Sequence, residues 1–174
     1  MRRTYWYVAV TSFEVQRSIR TFYEAVKIMQ HLPREGIPVI RYINVKSRTR
    51  TEFIDITEKV QELLKEAGLV SGIGYLYVPH TTAAVTINEG ADPSVQRDIL
   101  TLLNRMIPFE GDYLHKEGNS SAHIKASLIG PSLSVMIDEG RLVLGTWQSV
   151  FFCEFDGPRH RRVAVKFLSD KKMP

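Results

Sequence analysis

The amino-acid sequence predicts an α+β domain built mainly from antiparallel strands. From residue 39 onward, short runs of β-branched and aliphatic residues alternate with turns rich in glycine, proline and aspartate. Only two segments of this part repeat apolar residues at the spacing of an amphipathic helix. The connections are short, which favours antiparallel pairing because parallel strands need long crossovers. We therefore expect one sandwich-like core with two helices.

Two strands are expected at 39–45 and 51–56, joined as a hairpin by the polar turn 47–50. A first helix should cover 58–67, and a second should open at Asp92-Pro93. The second helix has an apolar stripe that ends in Leu102, Leu103 and Met106, so we expect this stripe to be buried. Segment 122–129 fits a helix or a strand equally well. Further strands are predicted at 133–137, 142–144, 147–155 and 163–168.

Length and composition predict a single soluble domain. The chain has 174 residues, of which 44% are apolar and 24% charged. No apolar run approaches the roughly 20 residues that span a bilayer, and the start of the chain lacks a signal-peptide pattern. Cys153 is the only cysteine, so no intrachain disulfide can form. These features predict a cytoplasmic protein without a membrane partner.

The positive charge is concentrated near the N-terminus. Residues 1–50 hold ten Lys/Arg and three Asp/Glu, a net +7, whereas residues 51–174 hold 13 and 16, a net −3. The arginines are scattered and no nucleic-acid motif accompanies them, so no nucleic-acid partner is expected. Breakers at Pro33, Gly36 and Pro38 divide the chain. We interpret 1–37 as a basic extension with a strand and an amphipathic helix, and 38–174 as the main domain.

The stretch Gly74–Asn88 is the most informative part of the sequence. In an extended chain, alternate side chains point to opposite faces. From residue 80 onward, one face is expected to carry a largely polar row: His80, Thr82, Ala84, Thr86 and Asn88. A strand that only fills a core would have little use for such a row, which indicates a functional surface.

Three histidines are candidates for chemistry, namely His80, His115 and His123. Three imidazoles and a water form a catalytic zinc shell, but no two-ligand helical motif is present. The alternatives are hydrogen-bonding or acid–base histidines, and histidines without a functional role. Asp112, Asn119 and Lys125 share the same segment of the chain.

A second set of candidates follows residue 145. Trp147 could stack on a flat ring and Gln148 could bind the edge of that ring, although a core role for the tryptophan is also open. Arg159 suits a phosphate or carboxylate, or else a surface salt bridge with Glu154 or Asp156. The carboxylates Glu154 and Asp156 could hold Mg²⁺.

Three segments together carry a family resemblance: VPHTTAAVTINEGADP, GNSSAHIKASLIGPS and SLSVMIDEGRLVLGTWQSVFFCEFDGPRHRR. They occur in the right order over roughly residues 40–168. The chain resembles the YjbQ family, also labelled secondary thiamine-phosphate synthase. Residues 1–37 are not part of that pattern.

The resemblance implies an α+β domain that assembles as a homotrimer. It also implies a transferase that joins a pyrimidine diphosphate to a thiazole phosphate and releases pyrophosphate. Its phosphorylated substrates would need cations or Mg²⁺ beside the diphosphate and a flat surface beside the ring. Lys125, Arg159 and Arg97 could supply the cationic groups, and Trp147 could supply the flat surface.

The expected site residues follow from the resemblance and from the chemistry. The catalytic set is His80, His115, His123 and Glu154, and the three histidines are also the possible ligands of a divalent metal, Zn or Mg. The substrate-binding set is Thr81, Thr82, Asn88, Asn119, Lys125, Trp147, Gln148, Asp156 and Arg159. Two alternatives stay open: a metal-dependent hydrolase that uses the histidines, and a non-enzymatic trimeric protein that binds a metal or small ligand.

Overall fold

The computed structural model describes residues 39–170, so the predicted extension at 1–37 lies outside the described residues. In chain order the elements are β1 (Arg41–Lys46), β2 (Glu52–Asp55), α1 (Thr57–Ala67), β3 (Gly72–Tyr77), β4 (Ala83–Glu89), α2 (Pro93–Met106), α3 (Ser120–Ile129), β5 (Ser132–Asp138), β6 (Arg141–Leu142), β7 (Gln148–Glu154) and β8 (His160–Ser169). None of these helices is long and apolar enough to cross a membrane.

The strands form two antiparallel sheets, which confirms the α+β prediction. The larger sheet has the order β1-β8-β3-β5-β6, and the smaller one has the order β2-β7-β4. Every pairing is antiparallel. The order is not sequential, because β8 returns from the end of the chain to lie between β1 and β3.

The predicted hairpin between the first two strands is wrong. β1 pairs with β8 in the larger sheet, whereas β2 pairs with β7 in the smaller one. The turn between them therefore crosses from one sheet to the other. Its residue Ser47 bonds through its backbone N–H to the carbonyl of Arg159 at 3.0 Å, which directs the chain away from β1.

The prediction of two helices was also wrong, since the described residues form three. The ambiguous segment is the helix α3, which begins two residues before the predicted segment, at Ser120. Its buried residues are Ser121, Ala122, Lys125 and Ala126. Because polar residues lie on the buried side, the usual apolar periodicity of a helix is absent from the sequence.

Helix α2 begins as predicted, with Asp92 accepting a hydrogen bond from the backbone N–H of Ser94 at 2.8 Å. The prediction for its apolar stripe was partly wrong. No residue of α2 is fully buried, and both Leu102 and Met106 are exposed. Only one side of α2, which includes Leu103, packs on the domain.

The smaller sheet is covered on both faces, by two apolar clusters. One cluster fills the space between the sheets and against α1, with Val60, Leu76, Val85, Phe152 and Val165 among its members. The other packs Phe53, Ala84, Phe151, Cys153 and Phe155 against α3 and the inner side of α2. Ala84 therefore meets the helices, and β4 begins only at Ala83, so the continuous polar row predicted from His80 to Asn88 does not form.

A buried ion pair joins the turns at one end of the smaller sheet. Glu154 is completely buried, and its oxygens accept hydrogen bonds from Arg161 at 2.7 and 2.9 Å, from the Ser47 hydroxyl at 3.0 Å, and from the backbone N–H groups of Phe155 and Asp156. Arg161 also donates to the Thr82 hydroxyl at 2.8 Å. The pair thus connects the turns after β1, before β4 and after β7.

We expect Glu154→Gln to lower the free energy of unfolding by about 3–5 kcal/mol, because it leaves the Arg161 guanidinium buried without a counter-charge. Urea denaturation measures the change. Adding Arg161→Met should recover part of the loss, since the unpaired charge is then removed.

The control is Glu66→Gln, which breaks the exposed pair between Glu66 and Arg41 and should cost no more than about 1 kcal/mol. Equal small losses for Glu154→Gln and Glu66→Gln would contradict the structural role of the buried pair.

Candidate functional site

The first half of the site is the turn that precedes β4. Here His80 accepts a hydrogen bond at Nε2 from the backbone N–H of Arg162 at 3.1 Å. In the neutral ring the proton is therefore on Nδ1. Burial lowers the pKa of His80, and the charge of Arg161 lowers it further. The imidazole is neutral near pH 7 and offers one N–H donor.

A cleft of about 490 Å³ lies between this turn and α3. Its polar lining comes from His80, Thr81, His123 and Ser127, while Tyr77, Pro79 and Pro131 contribute apolar surface. This volume is within the range of small-molecule sites. Thr82 lies next to the cleft-lining residues but is buried, and its hydroxyl accepts a hydrogen bond from Arg161.

His123 also faces a second cleft of about 490 Å³, which is lined by Asp112, Tyr113, Leu114, His115, Ser120 and Ile124. The rings of His115 and His123 meet edge to face, with centroids 5.3 Å apart. Nε2 of His115 lies 3.7 Å from a carboxylate oxygen of Glu117. The structure therefore brings His123 together with each of the other two predicted histidines, one in each cleft.

Within the described residues, His80, His115 and His123 do not form a three-histidine metal centre. Among residues 39–170, no group of three or more His, Cys, Asp or Glu side chains is placed to hold a metal ion. The Nε2 atom of His80 is already engaged by a backbone N–H. Glu154 also has both oxygens occupied by donors, so the predicted Mg²⁺ pair with Asp156 lacks one free carboxylate. The same surroundings do not support Glu154 as a catalytic residue.

The predicted residues Asn119, Asp156 and Arg159 lie together at the beginning of α3. Asp156 accepts hydrogen bonds from Asn119 at 3.2 Å and from the Arg159 guanidinium at 2.7 Å. Arg159 is thus in the salt bridge that was one of its two predicted roles, although half of its side chain is exposed. The buried atoms Oδ1 of Asn119 and Oγ of Ser121 have no hydrogen-bond partner within residues 39–170. Buried polar atoms without partners are rare in folded proteins.

Lys125 lies one turn further along α3 and is completely buried. Its ammonium donates to Oδ1 of Asn104 at 2.7 Å and lies 4.1 Å from the ring centre of Phe109. Burial, and then the charge of Arg50, lowers the pKa of Lys125 from 10.5 to about 8. The sequence identified the lysine as a candidate, but neither its burial nor its partners had a local signal.

Three of the predicted residues lie at the other end of the smaller sheet. Ala83 pairs with Glu154, whereas Asn88 pairs with Ser149. These two pairs mark opposite ends of the sheet and are five residues apart along β4, or about 17 Å. Trp147 is 63% exposed, which excludes the core role within the subunit. Gln148 accepts from the backbone N–H of Gly145 at 2.8 Å and so stabilises its own turn. The chain by itself does not bring Asn88, Trp147 and Gln148 to the histidines.

Arg97 lies on α2 and is exposed.

The lowered pKa of Lys125 predicts a pH dependence of stability. Between pH 8 and 10.5 the unfolded chain binds the lysine proton and the folded chain has released it, so the free energy of unfolding should rise with pH across this window. We expect this rise in the wild type relative to Lys125→Met, which has no group to titrate. Urea denaturation at a series of pH values measures the difference, and parallel curves for the two proteins would contradict the assignment.

Comparison with known proteins identifies relatives along most of the described chain. The family model described as UPF0047 protein YjbQ-like matches residues 41–170. A UPF0047 protein of Methanocaldococcus jannaschii is 50% identical over 127 residues, which is 73% of this chain and 92% of that protein. UPF0047 protein YugU of Bacillus subtilis is 46% identical over 75% of this chain and 99% of its own length.

Solved structures agree with this assignment. The crystal structure of an uncharacterized conserved YjbQ/UPF0047 family protein from Clostridium acetobutylicum has a TM-score of 0.73 and 51% identity. It covers 74% of this chain and 99% of the solved chain. A hypothetical protein from Aeropyrum pernix has the same TM-score at 39% identity, over 76% of this chain and 99% of its own. The chain belongs to the UPF0047 protein YjbQ-like family.

Proposed function

We propose that the protein is a transferase that acts on phosphorylated small molecules and joins a pyrimidine diphosphate to a thiazole phosphate. The observation that carries the proposal is the cleft between the turn at His80 and α3. It is large enough for one such substrate, and polar groups come from both walls of an otherwise apolar lining, His80 and Thr81 from the turn and His123 and Ser127 from α3. The resemblance of the three quoted segments to the family labelled secondary thiamine-phosphate synthase supplies the reaction.

The chemistry makes specific demands on that cleft. The bond between the pyrimidine methylene and the diphosphate oxygen breaks, the thiazole nitrogen forms a bond to the methylene carbon, and pyrophosphate leaves. Positive charge develops on the pyrimidine, so a neutral imidazole is better placed beside it than an imidazolium. The lowered pKa of His80 fits this demand. The Nδ1–H of His80 and the hydroxyl of Thr81 can donate to phosphate oxygens.

Incubation of the purified protein with the two precursors should release pyrophosphate and form thiamine phosphate, measured by coupled phosphate detection and mass spectrometry. His80→Ala and His123→Ala should reduce the rate by about 10²-fold or more if these rings act in the transition state. The control Glu62→Gln changes an exposed residue of α1 and should leave the rate unchanged. Failure of the wild type to form product would refute the transferase.

A metal-dependent hydrolase is a second candidate, favoured by the 5.3 Å separation of the His115 and His123 rings. Two imidazoles bound to one tetrahedral zinc, with Zn–N distances of about 2.0–2.1 Å, have centroids roughly 5 Å apart. Metal analysis of the purified protein and phosphate-ester hydrolysis with and without a chelator separate this candidate from the transferase. Bound metal without turnover would indicate a binding protein.

We also propose that the protein is a homotrimer. The outer face of the larger sheet supports self-association, because Tyr75 and Tyr77 of β3, Met136 of β5 and Leu168 of β8 are exposed on it. The pairings of Ile73 with both Leu168 and Met136 place these three exposed side chains in one row across the sheet. Contiguous exposed apolar surface of this kind is typical of interaction sites.

Sedimentation equilibrium at micromolar concentration should give the mass of three chains. Tyr75→Ser combined with Tyr77→Ser should shift the equilibrium to monomers, because it removes aromatic area from the face. As a control, Glu62→Gln changes an exposed residue of α1 and should keep the trimer mass. A monomer mass for the wild type would contradict the proposal.

A further inference from the structure

Lys125 is a buried cation without a counter-charge. Its Nζ contacts the neutral Oδ1 of Asn104 and the ring of Phe109, and no carboxylate pairs with it within residues 39–170. By contrast, the guanidinium of Arg161, whose side chain is also largely buried, is bidentate with Glu154. Proteins rarely bury an unpaired charge, because the lost hydration is not replaced. The arrangement therefore needs an explanation other than stability.

A second unpaired cation lies beside it. Cζ of Arg50 is 4.2 Å from the ring centre of Phe109, and Nζ of Lys125 is 4.1 Å from the same point. In the part of the chain that the structure describes, the Arg50 guanidinium has no ion-pair partner. Two positive charges thus share one neutral aromatic ring, and the charge of Arg50 contributes to the lowered pKa of Lys125. A site with two uncompensated cations suits a ligand with at least two negative charges.

Neutral groups orient these cations. Asn104 accepts from Lys125 and also donates to the Thr51 hydroxyl at 3.4 Å. An aspartate in place of Asn104 would have a similar shape and would neutralise the lysine. The amide fixes the ammonium and leaves its charge in place.

The segment that carries Phe109 is held mainly by its own contacts. The Tyr113 hydroxyl donates to the carbonyl of Pro108 at 2.7 Å, and the backbone N–H groups of Tyr113 and Gly118 bond within the same segment. Phe109 is only half-buried. Its ring can leave the two cations without breaking hydrogen bonds between this segment and the sheets, and cation–π contacts are weaker than charge-assisted hydrogen bonds to an anion.

We infer that Arg50 and Lys125 form an anion subsite outside the lining of the first cleft, for a phosphate or diphosphate group of one of the two substrates, and that Phe109 covers this subsite until the anion displaces it. The ligand class is a phosphate or diphosphate with two or more negative charges. The inference rests on the proposed function for the identity of the substrate. Binding of inorganic pyrophosphate tests it without reference to the reaction.

Isothermal titration calorimetry with inorganic pyrophosphate measures the subsite directly. Arg50→Gln and Lys125→Met should each weaken binding about tenfold or more, since each removes a charged donor. Arg48→Gln is the matched control from the same turn and should stay within about twofold of the wild type. Phe109→Leu should strengthen binding, because the anion no longer competes with the ring; a purely structural phenylalanine would give the opposite sign.

If Lys125→Met does not fold, Asn104→Asp provides a second test of the role of Lys125 in binding pyrophosphate. It gives Lys125 a counter-charge at the same position, so it should stabilise the fold and weaken pyrophosphate binding at the same time. Absence of pyrophosphate binding by the wild type, or wild-type affinity in Arg50→Gln and Asn104→Asp, would overturn the subsite. Binding through Arg50 and Lys125 without product formation would refute only the transferase, whereas product formation unaffected by Arg50→Gln would refute only the subsite.

Discussion

The buried pair of Glu154 and Arg161 is the interaction on which the rest of the structure depends. A carboxylate can accept from more donors than any neutral side chain of its size, and Glu154 accepts from five. These donors come from the turn after β1, the turn after β7 and the start of β8. The packing beside the pair is equally restrictive: a Cβ on Gly157 would overlap the carbonyl oxygen of Thr49, so only glycine lets these two turns close together.

The same pair positions the candidate site through two branches. Along β8, fixing Arg161 also fixes the backbone N–H of Arg162, which orients the His80 ring. Along the turn after β7, the neighbouring Asp156 reaches Asn119 at the start of α3. Both walls of the first cleft are thus positioned by one buried interaction. Rigid elements supported in this way keep the residues of a site at fixed relative positions. The second cleft lacks such support from the sheets, because its outer wall is the segment that contains His115.

The sequence was informative where the signal is local. Asp92 followed by Pro93 specifies the start of α2 through one cap and one fixed φ angle, and the strand runs after residue 130 appear close to their predicted places. Strand pairing is not local: the turn after β1 is compatible with a hairpin, and only its bonds to Arg159 and Glu154, more than 100 residues away, carry it to the other sheet. The polar row failed for a related reason, since helices cover the face of β4 that carries Ala84.

In the candidate site, too, the sequence predicted what depends on residue type and missed what depends on long-range packing. Residue types suggested the histidines, Lys125 and the Asp156–Arg159 turn, and the fold places all of them around α3. Trp147 and Gln148 carried an equally strong signal but lie about 17 Å of strand away, at an end of the sheet that only another subunit could bring to the clefts. Arg50 and Phe109 gave no signal, because an arginine in a polar turn and a phenylalanine after a proline are ordinary features of a surface.

Lys125 and Arg161, two buried cations among residues 39–170, show how a charge used for stability differs from a charge available for binding. Arg161 has a carboxylate in bidentate contact, and its charge is used within the fold. Lys125 has an amide at the same kind of distance, 2.7 Å from Oδ1 of Asn104, although the isosteric carboxylate would have neutralised it. A fold selected for stability alone would favour aspartate at this position or an apolar residue in place of the lysine. The amide keeps the lysine both oriented and charged, and a lysine kept charged in an apolar setting is prepared for an anion that the chain itself does not supply.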